Sequence, residues 1–445
     1  MKTKWTFARH GLSAAIIAAG IQSSEAAGIY RDGFGARALA LGGADVAWAE
    51  GPLAAFGSNP AGLTSLEGHS LELGGVAAIP TGRFRNAADN HSSLQTAFGG
   101  WPEIAFGMRA ANSPARVFAG IAPEAALASE WRYIDPPGGA DGNTSYGLQR
   151  HESEITVLRA GVGAAIDLTP QISFGATVGA IYNENRLHAP YIFQTQPALA
   201  GVKTLLDLET AGWGVNAQFG VMLRPRKDLQ FGLTYKTRAV VNSEGDASGN
   251  AGVQLANIGL GAARPDFHYD AEVVNAFPQM VSGGVSWQAC PRFRLAAQLD
   301  WIDWSGAFDD LHVKLRNGNN TDLNGVVGSD DMDDFVPLDW KDQVVVRVGG
   351  ELTVTDSLQL RGGYSYGRSP VPDGTLTPLT AVIMEHSVTT GAGWQSGRWS
   401  LDFAYQWSLP NTQRVGTSEL RSGEYDNSAT RIGVHWLGLT TGMRF

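Results

Sequence analysis

Most of the chain beyond residue 68 alternates apolar and polar residues with period two, the signature of a strand with one face in apolar surroundings. Leu229, Phe231, Leu233 and Tyr235 alternate with Gln230, Gly232, Thr234 and Lys236. Trp399, Leu401, Phe403, Tyr405 and Trp407 alternate with Ser400, Asp402, Ala404, Gln406 and Ser408. Runs from Phe293 to Trp301 and from Ile172 to Val178 repeat the pattern. One face is apolar throughout, while the other is small or polar and carries full charges.

A soluble sandwich alternates too, so the period leaves both architectures open. Three further features select a membrane barrel. Trp399 and Trp407 stand at opposite ends of one apolar face, as aromatic girdles at two bilayer interfaces require. The alternating runs reach about ten residues, against roughly six in sandwich strands. Connections alternate short and long. Tight turns at 112–115, 168–171, 225–228, 289–292, 354–357 and 395–398 separate long polar stretches near 81–95, 124–151, 187–206, 245–268, 304–339, 368–384 and 410–426. Short periplasmic turns opposite long outer loops are the topology of an outer-membrane barrel, and these turns and loops join fourteen antiparallel strands. The last strand ends on Phe445, the kind of terminal aromatic that barrel-insertion machinery reads.

The first 26 residues have a signal-peptide layout. Lys2, Lys4 and Arg9 precede the apolar run Leu12 to Ile21 and the small-residue segment Ser24-Glu25-Ala26-Ala27, with cleavage after Ala26. The run is shorter than the ~20 residues a membrane helix needs. Residues 27–67 do not alternate. Gly33 to Ala38, Gly42-Gly43-Ala44 and Asn59-Pro60-Ala61-Gly62-Leu63 suit short helices and tight bends. A fourteen-strand barrel is wider than its own side chains fill. Residues 27–67 are therefore read as an N-terminal hatch inside the lumen, and 68–445 as the transmembrane β-barrel.

Composition agrees with this all-β reading. The 56 glycines among 445 residues are nearly twice the usual ~7%, and charged residues are 17% against the usual ~25%. The net charge of −10 argues against a nucleic-acid partner, since no cation excess is available for phosphates. The single cysteine, Cys290, excludes an intramolecular disulfide and any Cys-cluster metal site.

The mature chain resembles the bacterial outer-membrane long-chain fatty-acid transporters, the FadL-like family that includes importers of aromatic hydrocarbons. The matching pieces are Ala27-Gly28, Gly33 to Ala38, Asn59-Pro60-Ala61, Phe277-Pro278, Asp300 to Ser305, Trp340-Lys341-Asp342 and Ser369-Pro370-Val371-Pro372. The resemblance implies capture of a hydrophobic ligand outside the cell, an internal pocket, and release through a gap in the wall beside a kinked third strand. That strand would be Arg116 to Ala122, bent at Gly120, with Asn59, Pro60 and Ala61 as the hatch turn facing the gap. Asp342, Arg347, Glu385 and His386 correspond to lumen charges of the family.

Local chemistry adds one group of candidates. Arg186, His188, His312 and Lys314 lie near outer strand ends, and a carboxylate entering an apolar pocket needs a cation or donors. The competing reading for each is a residue facing water or lipid headgroups. Gly33, Gly35 and Ala38 match a dinucleotide-binding spacing without the strand that site requires. Asn320, Asp322, Asn324, Gly325 and Asp331 approximate a calcium loop without flanking helices, so a solvated loop is preferred to a metal site, with a divalent bridge to lipopolysaccharide as the alternative. No esterase or metallohydrolase motif occurs. The expectation is a monomeric, cofactor-free, non-enzymatic outer-membrane importer of long-chain fatty acids or similar hydrophobic molecules, set among outer-membrane lipid and lipopolysaccharide. A general diffusion porin and an outer-membrane lipid hydrolase are the alternatives.

Overall fold

The computed structural model describes residues 27–95, 98–110 and 113–445, so the predicted signal peptide lies outside the described residues. One antiparallel sheet closes on itself as a fourteen-stranded barrel. Its strands are β1 (His69–Arg85), β2 (Gly99–Arg109), β3 (Arg116–Ile134), β4 (Leu148–Asp167), β5 (Ile172–Ile192) and β6 (Lys203–Arg226). Four strands are interrupted near mid-length: β7 (Leu229–Lys236, Ala239–Asn250), β8 (Asp266–Phe277, Met280–Cys290), β9 (Phe293–Ile302, Asp310–Arg316) and β10 (Met332–Pro337, Gln343–Thr355). The barrel finishes with β11 (Leu358–Gly367), β12 (His386–Ser396), β13 (Trp399–Arg414) and β14 (Ala429–Arg444). A short segment, His91–Ser93, pairs with the outer end of β1. β14 pairs with β1 from Ser70↔Arg444 to Arg85↔Ala429, which closes the sheet on itself.

Parity along each strand decides what faces lipid. On β9, Leu295, Leu299 and Trp301 are exposed while Ala296, Gln298 and Asp300 are buried. On β13, Trp399, Leu401, Phe403 and Trp407 are exposed while Gln406 and Ser408 are buried. Large apolar side chains thus project outward and small or polar ones inward, the inverse of a soluble barrel.

Residues 27–66 fill the inner part of the lumen. They form α1 (Gly35–Ala40), α2 (Pro52–Gly57) and a 3₁₀ turn, Pro60–Ser65. Pro52 and Pro60 open their elements, where no amide donor is lost. The segment bonds to the wall on several sides: Ala36 N–H to Thr440, Thr389 to the Ala40 carbonyl, Val46 N–H to Gln298, and Asn59 to the Val221 carbonyl. Inward glycines mark where its backbone touches the wall. A Cβ on Gly220 would lie 2.1 Å from Asn59 Oδ1, and one on Gly363 2.4 Å from the Leu41 carbonyl carbon. Close backbone approach of this kind explains part of the glycine excess.

Candidate functional site

Buried ion clusters tie the inner segment in place. Arg347 on β10 binds Asp32, holds Asp300 at 2.6 Å and donates to the Gly42 carbonyl; all three side chains are almost completely buried. Arg31 pairs with Glu103 on β2 at 2.9 Å. Toward the periplasmic mouth, Trp48 lies between Arg37 and Arg294, whose guanidinium carbons stand 4.4 and 4.2 Å from its ring. Cation–π pairs shielded from water in this way are worth about 1–2 kcal/mol each.

The wall departs from regularity at β3. Pairing with β2 ends at Ile104↔Ile121, whereas pairing with β4 continues to Ile134. The β3–β4 register slips between Pro123 and Ala125, and every residue from Ala122 to Ser129 is buried. The main chain freed by this bend is taken up by the N-terminal segment. Arg31 N–H donates to the Glu124 carbonyl, and Ala126 N–H to the Ile29 carbonyl. Beside the interruption, Glu124 receives Lys236 at 2.7 Å, and Arg159 donates to the Phe56 carbonyl at 2.8 Å. The third strand therefore runs well past Ala122. Its ladder is regular through Gly120, paired with Ala105 and Gly161, and breaks at Pro123–Ala125 instead. Proline, lacking its N–H, explains the site of the break. The Asn59-Pro60-Ala61 turn packs against Gly175 of β5 and Gly220 of β6, and the residue behind Gly120 is Phe56, whose ring a Cβ there would meet at 3.0 Å. Asn59 caps that turn by accepting from Ala61 N–H at 3.0 Å and donates to the Val46 carbonyl at 2.7 Å.

A cavity of about 180 Å³ lies in the outer half of the lumen. Its floor and walls are apolar, with Leu127, Leu187, Leu208, Val273, Phe308 and Trp340 among the lining residues. Phe308 and Trp340 stack at 4.7 Å between centroids, and Trp304 packs edge-on behind them. Outer loops complete it. Loop 193–202 is fixed by Asp334, which accepts from the backbone N–H groups of Gln194, Thr195 and Gln196 and from the Tyr191 hydroxyl at 2.5 Å. Loop 415–428 contributes Leu420, Arg421, Glu424 and Tyr425. Arg421 is anchored through its Nε to the Gln194 carbonyl, and its main-chain N–H bonds Gln194 Oε1 at 3.0 Å. Among the described residues no carboxylate pairs with Arg421, which makes it the lining cation left for an incoming anion.

Of the predicted cations, Arg186 borders the cavity beside Glu154, whereas His188, His312 and Lys314 are not among its lining residues. His188, His312 and Lys314 occupy outward positions on β5 and β9, since the inward parity of those strands belongs to Asn185, Val313 and Leu315. All four already face a carboxylate: Arg186 is 2.7 Å from Glu184, Lys314 2.8 Å from Glu272, His188 3.7 Å from Asp207 and His312 3.6 Å from Asp333. Of the four predicted lumen charges, Arg347 is buried inside the barrel. Asp342 is an exposed loop residue bonded to Ser305, Glu385 accepts from Ser369 N–H, and His386 projects outward against Tyr364. Ser387, one position on, takes the inward place. In the acidic loop, Asn320 caps a short helix, Thr321–Val327, that the sequence reading did not anticipate. Arg421 carries no motif and sits in a polar loop, so no sequence signal distinguished it.

A closed transmembrane barrel whose lumen is filled from the inner side by its own N-terminal segment, with an apolar cavity above, defines a plugged transport barrel rather than an open pore. The chain belongs to the outer membrane protein transport protein (OMPP1/FadL/TodX) family, whose sequence model matches residues 13–445. It is therefore a bacterial outer-membrane transporter of hydrophobic compounds and a passive channel rather than an enzyme. Similar solved structures include the Pseudomonas putida toluene transporter TodX (TM-score 0.73, 19% identity, 93% of this chain and 99% of that one). The Ralstonia pickettii toluene transporter TbuX (0.71, 20%, 93% and 99%) and a Pseudomonas aeruginosa FadL homologue (0.75, 15%, 94% and 100%) share the fold. No curated protein sequence matches the chain.

Proposed function

We propose that this protein imports long-chain fatty acids or similar amphipathic hydrophobic molecules, captures them in the outer cavity and releases them sideways at the β2–β3 interruption. The observation that carries the reading is the apolar cavity with one cation, Arg421, free of a carboxylate partner among the described residues. An acyl or aryl body would lie against Phe308, Trp340 and Leu208, with its anionic group toward Arg421. Residues 27–67 act as the hatch: the Arg347 cluster and the Trp48 sandwich obstruct the straight path to the periplasm, while the β2–β3 ladder ends at Ile121, just before Pro123. The stacked Phe308–Trp340 pair supports a second reading, capture of neutral aromatic hydrocarbons. The outward charges, His312 and Lys314 included, would then face lipopolysaccharide headgroups, with Phe445 read by the insertion machinery and the barrel working as a monomer. Mass spectrometry of lipid extracted from gently purified protein, together with oleate and toluene binding isotherms, tests the assignment. Binding of toluene without oleate would favour the aromatic reading, and a large stable conductance would refute the hatch.

A further inference from the structure

The outer loops meet at one buried polar knot. Lys203, at the start of β6, is fully buried, and its three donors are all used: Asp135 at 2.6 Å, the Pro136 carbonyl at 2.7 Å and Glu424 at 2.5 Å. Asp135 is also fully buried and accepts from Tyr146 N–H, while Glu424 is nearly so. One ammonium thus joins the β3–β4 loop to loop 415–428. That loop is also attached by polar contacts, Arg421 to Gln194, Ser422 to the Gly139 carbonyl and Glu419 N–H to the Gly374 carbonyl, and by the buried side chains of Val415, Leu420 and Tyr425, the last two reaching into the cavity and Tyr425 packing edge-on against Phe84. Ser422, Gly423 and Asn427 all have left-handed backbone, which makes the loop a compact turn rather than an extension of the sheet.

We propose that loop 415–428 is the moving lid of the outer cavity, latched by Lys203, and that ligand entry is proton-linked through Glu424. The charge balance gives the sign. With Glu424 ionised, two carboxylates share one buried ammonium and leave an uncompensated negative charge; protonating Glu424 leaves a neutral Lys203–Asp135 pair. The groups facing Glu424 are Lys203 of β6, Asp135 of the β3–β4 loop, Tyr133 of β3 with His151 of β4 stacked behind it, and Tyr425 of the lid itself. Burial pushes the Glu424 carboxyl up to about 7 against the pull of Lys203. In an open, hydrated lid it returns to the ordinary range near ~4.3. The closed lid therefore holds its proton more tightly, so acid favours closure and the latch loosens as pH rises through about 7.

The inference rests on the cavity being the capture site. It is tested on the full protein in detergent by stopped-flow association of N-phenyl-1-naphthylamine, a neutral fluorescent hydrophobe. From pH 5.5 to 8.5 the wild-type association rate should rise roughly 10- to 30-fold. Glu424→Gln keeps the bond to Lys203 without the charge and should be slow at every pH. Lys203→Met should be fast at pH 8.5. A Glu424→Gln variant with the wild-type pH profile, or a flat wild-type profile with normal binding, would overturn the latch. Absence of probe binding at any pH in every variant would overturn the capture cavity, and the latch with it.

Discussion

Arg347→Met is the most direct test of whether the N-terminal segment is held as a hatch. Arg347 joins Asp32 of the inner segment to Asp300 of β9 and reaches the Gly42 carbonyl, and both carboxylates are at most 2% exposed. Methionine fills similar volume but leaves Asp32 and Asp300 buried without a counter-charge. Removing one partner of a buried ion pair costs about 3–5 kcal/mol. Gln406 still donates to Asp32 at 2.9 Å, which places the expected loss near the lower end of that range, ~3 kcal/mol. Spent on displacing the segment, that corresponds to a rise of roughly 150-fold in its open population. The readout is planar-bilayer conductance of protein shown to be inserted and heat-modifiable. Wild type should be quiet, and the variant should flicker into conducting states. The triple change Asp32→Asn, Asp300→Asn and Arg347→Met removes all three charges of this ion cluster together and should restore most of the quiet behaviour. A single mutant as quiet as wild type, or a triple mutant as leaky as the single, would refute the reasoning.

Other outcomes follow from the same geometry. Arg421→Gln should weaken oleate binding about 5- to 10-fold, a loss near ~1 kcal/mol for a solvent-accessible charge-assisted bond, and leave toluene binding unchanged in paired titrations. Neutralising Lys314 to Gln should alter oleate and toluene binding equally, because it pairs with Glu272 away from the cavity lining; a selective loss for oleate would contradict the assigned parity. Gly220→Ala drives a Cβ into Asn59 and should displace the Asn-Pro turn, slowing labelled-oleate uptake while binding to purified protein is retained. Gly120→Val presses on Phe56 and should likewise slow uptake in correctly inserted protein; normal uptake by both variants would mean that ligand leaves by another route.

The sequence by itself determined the barrel. Period-two alternation is a local property, so Trp399 to Trp407 and Phe293 to Trp301 announced their lipid faces without reference to any neighbour. Turn chemistry likewise announced six hairpins, and the non-alternating run from Gly33 to Leu63 announced a segment that could not be wall. Parity near the outer rim was not legible in the same way. There both faces are wet and both carry charge, so the alternation of Arg186 with Asn185, or of Lys314 with Val313, no longer says which side is inward. Only ladder pairing through the whole barrel fixes it. The break in β3 was displaced for a related reason: glycine at 120 is tolerated in a regular ladder, whereas Pro123 removes a donor, and the missing pairing is made good by Ile29–Arg31, nearly a hundred residues away in sequence. Arg421, Lys203 and Glu424 belong to loops whose local sequence is merely polar. Their roles come from burial and from the convergence of separate loops over one cavity, quantities that exist only once the barrel has closed.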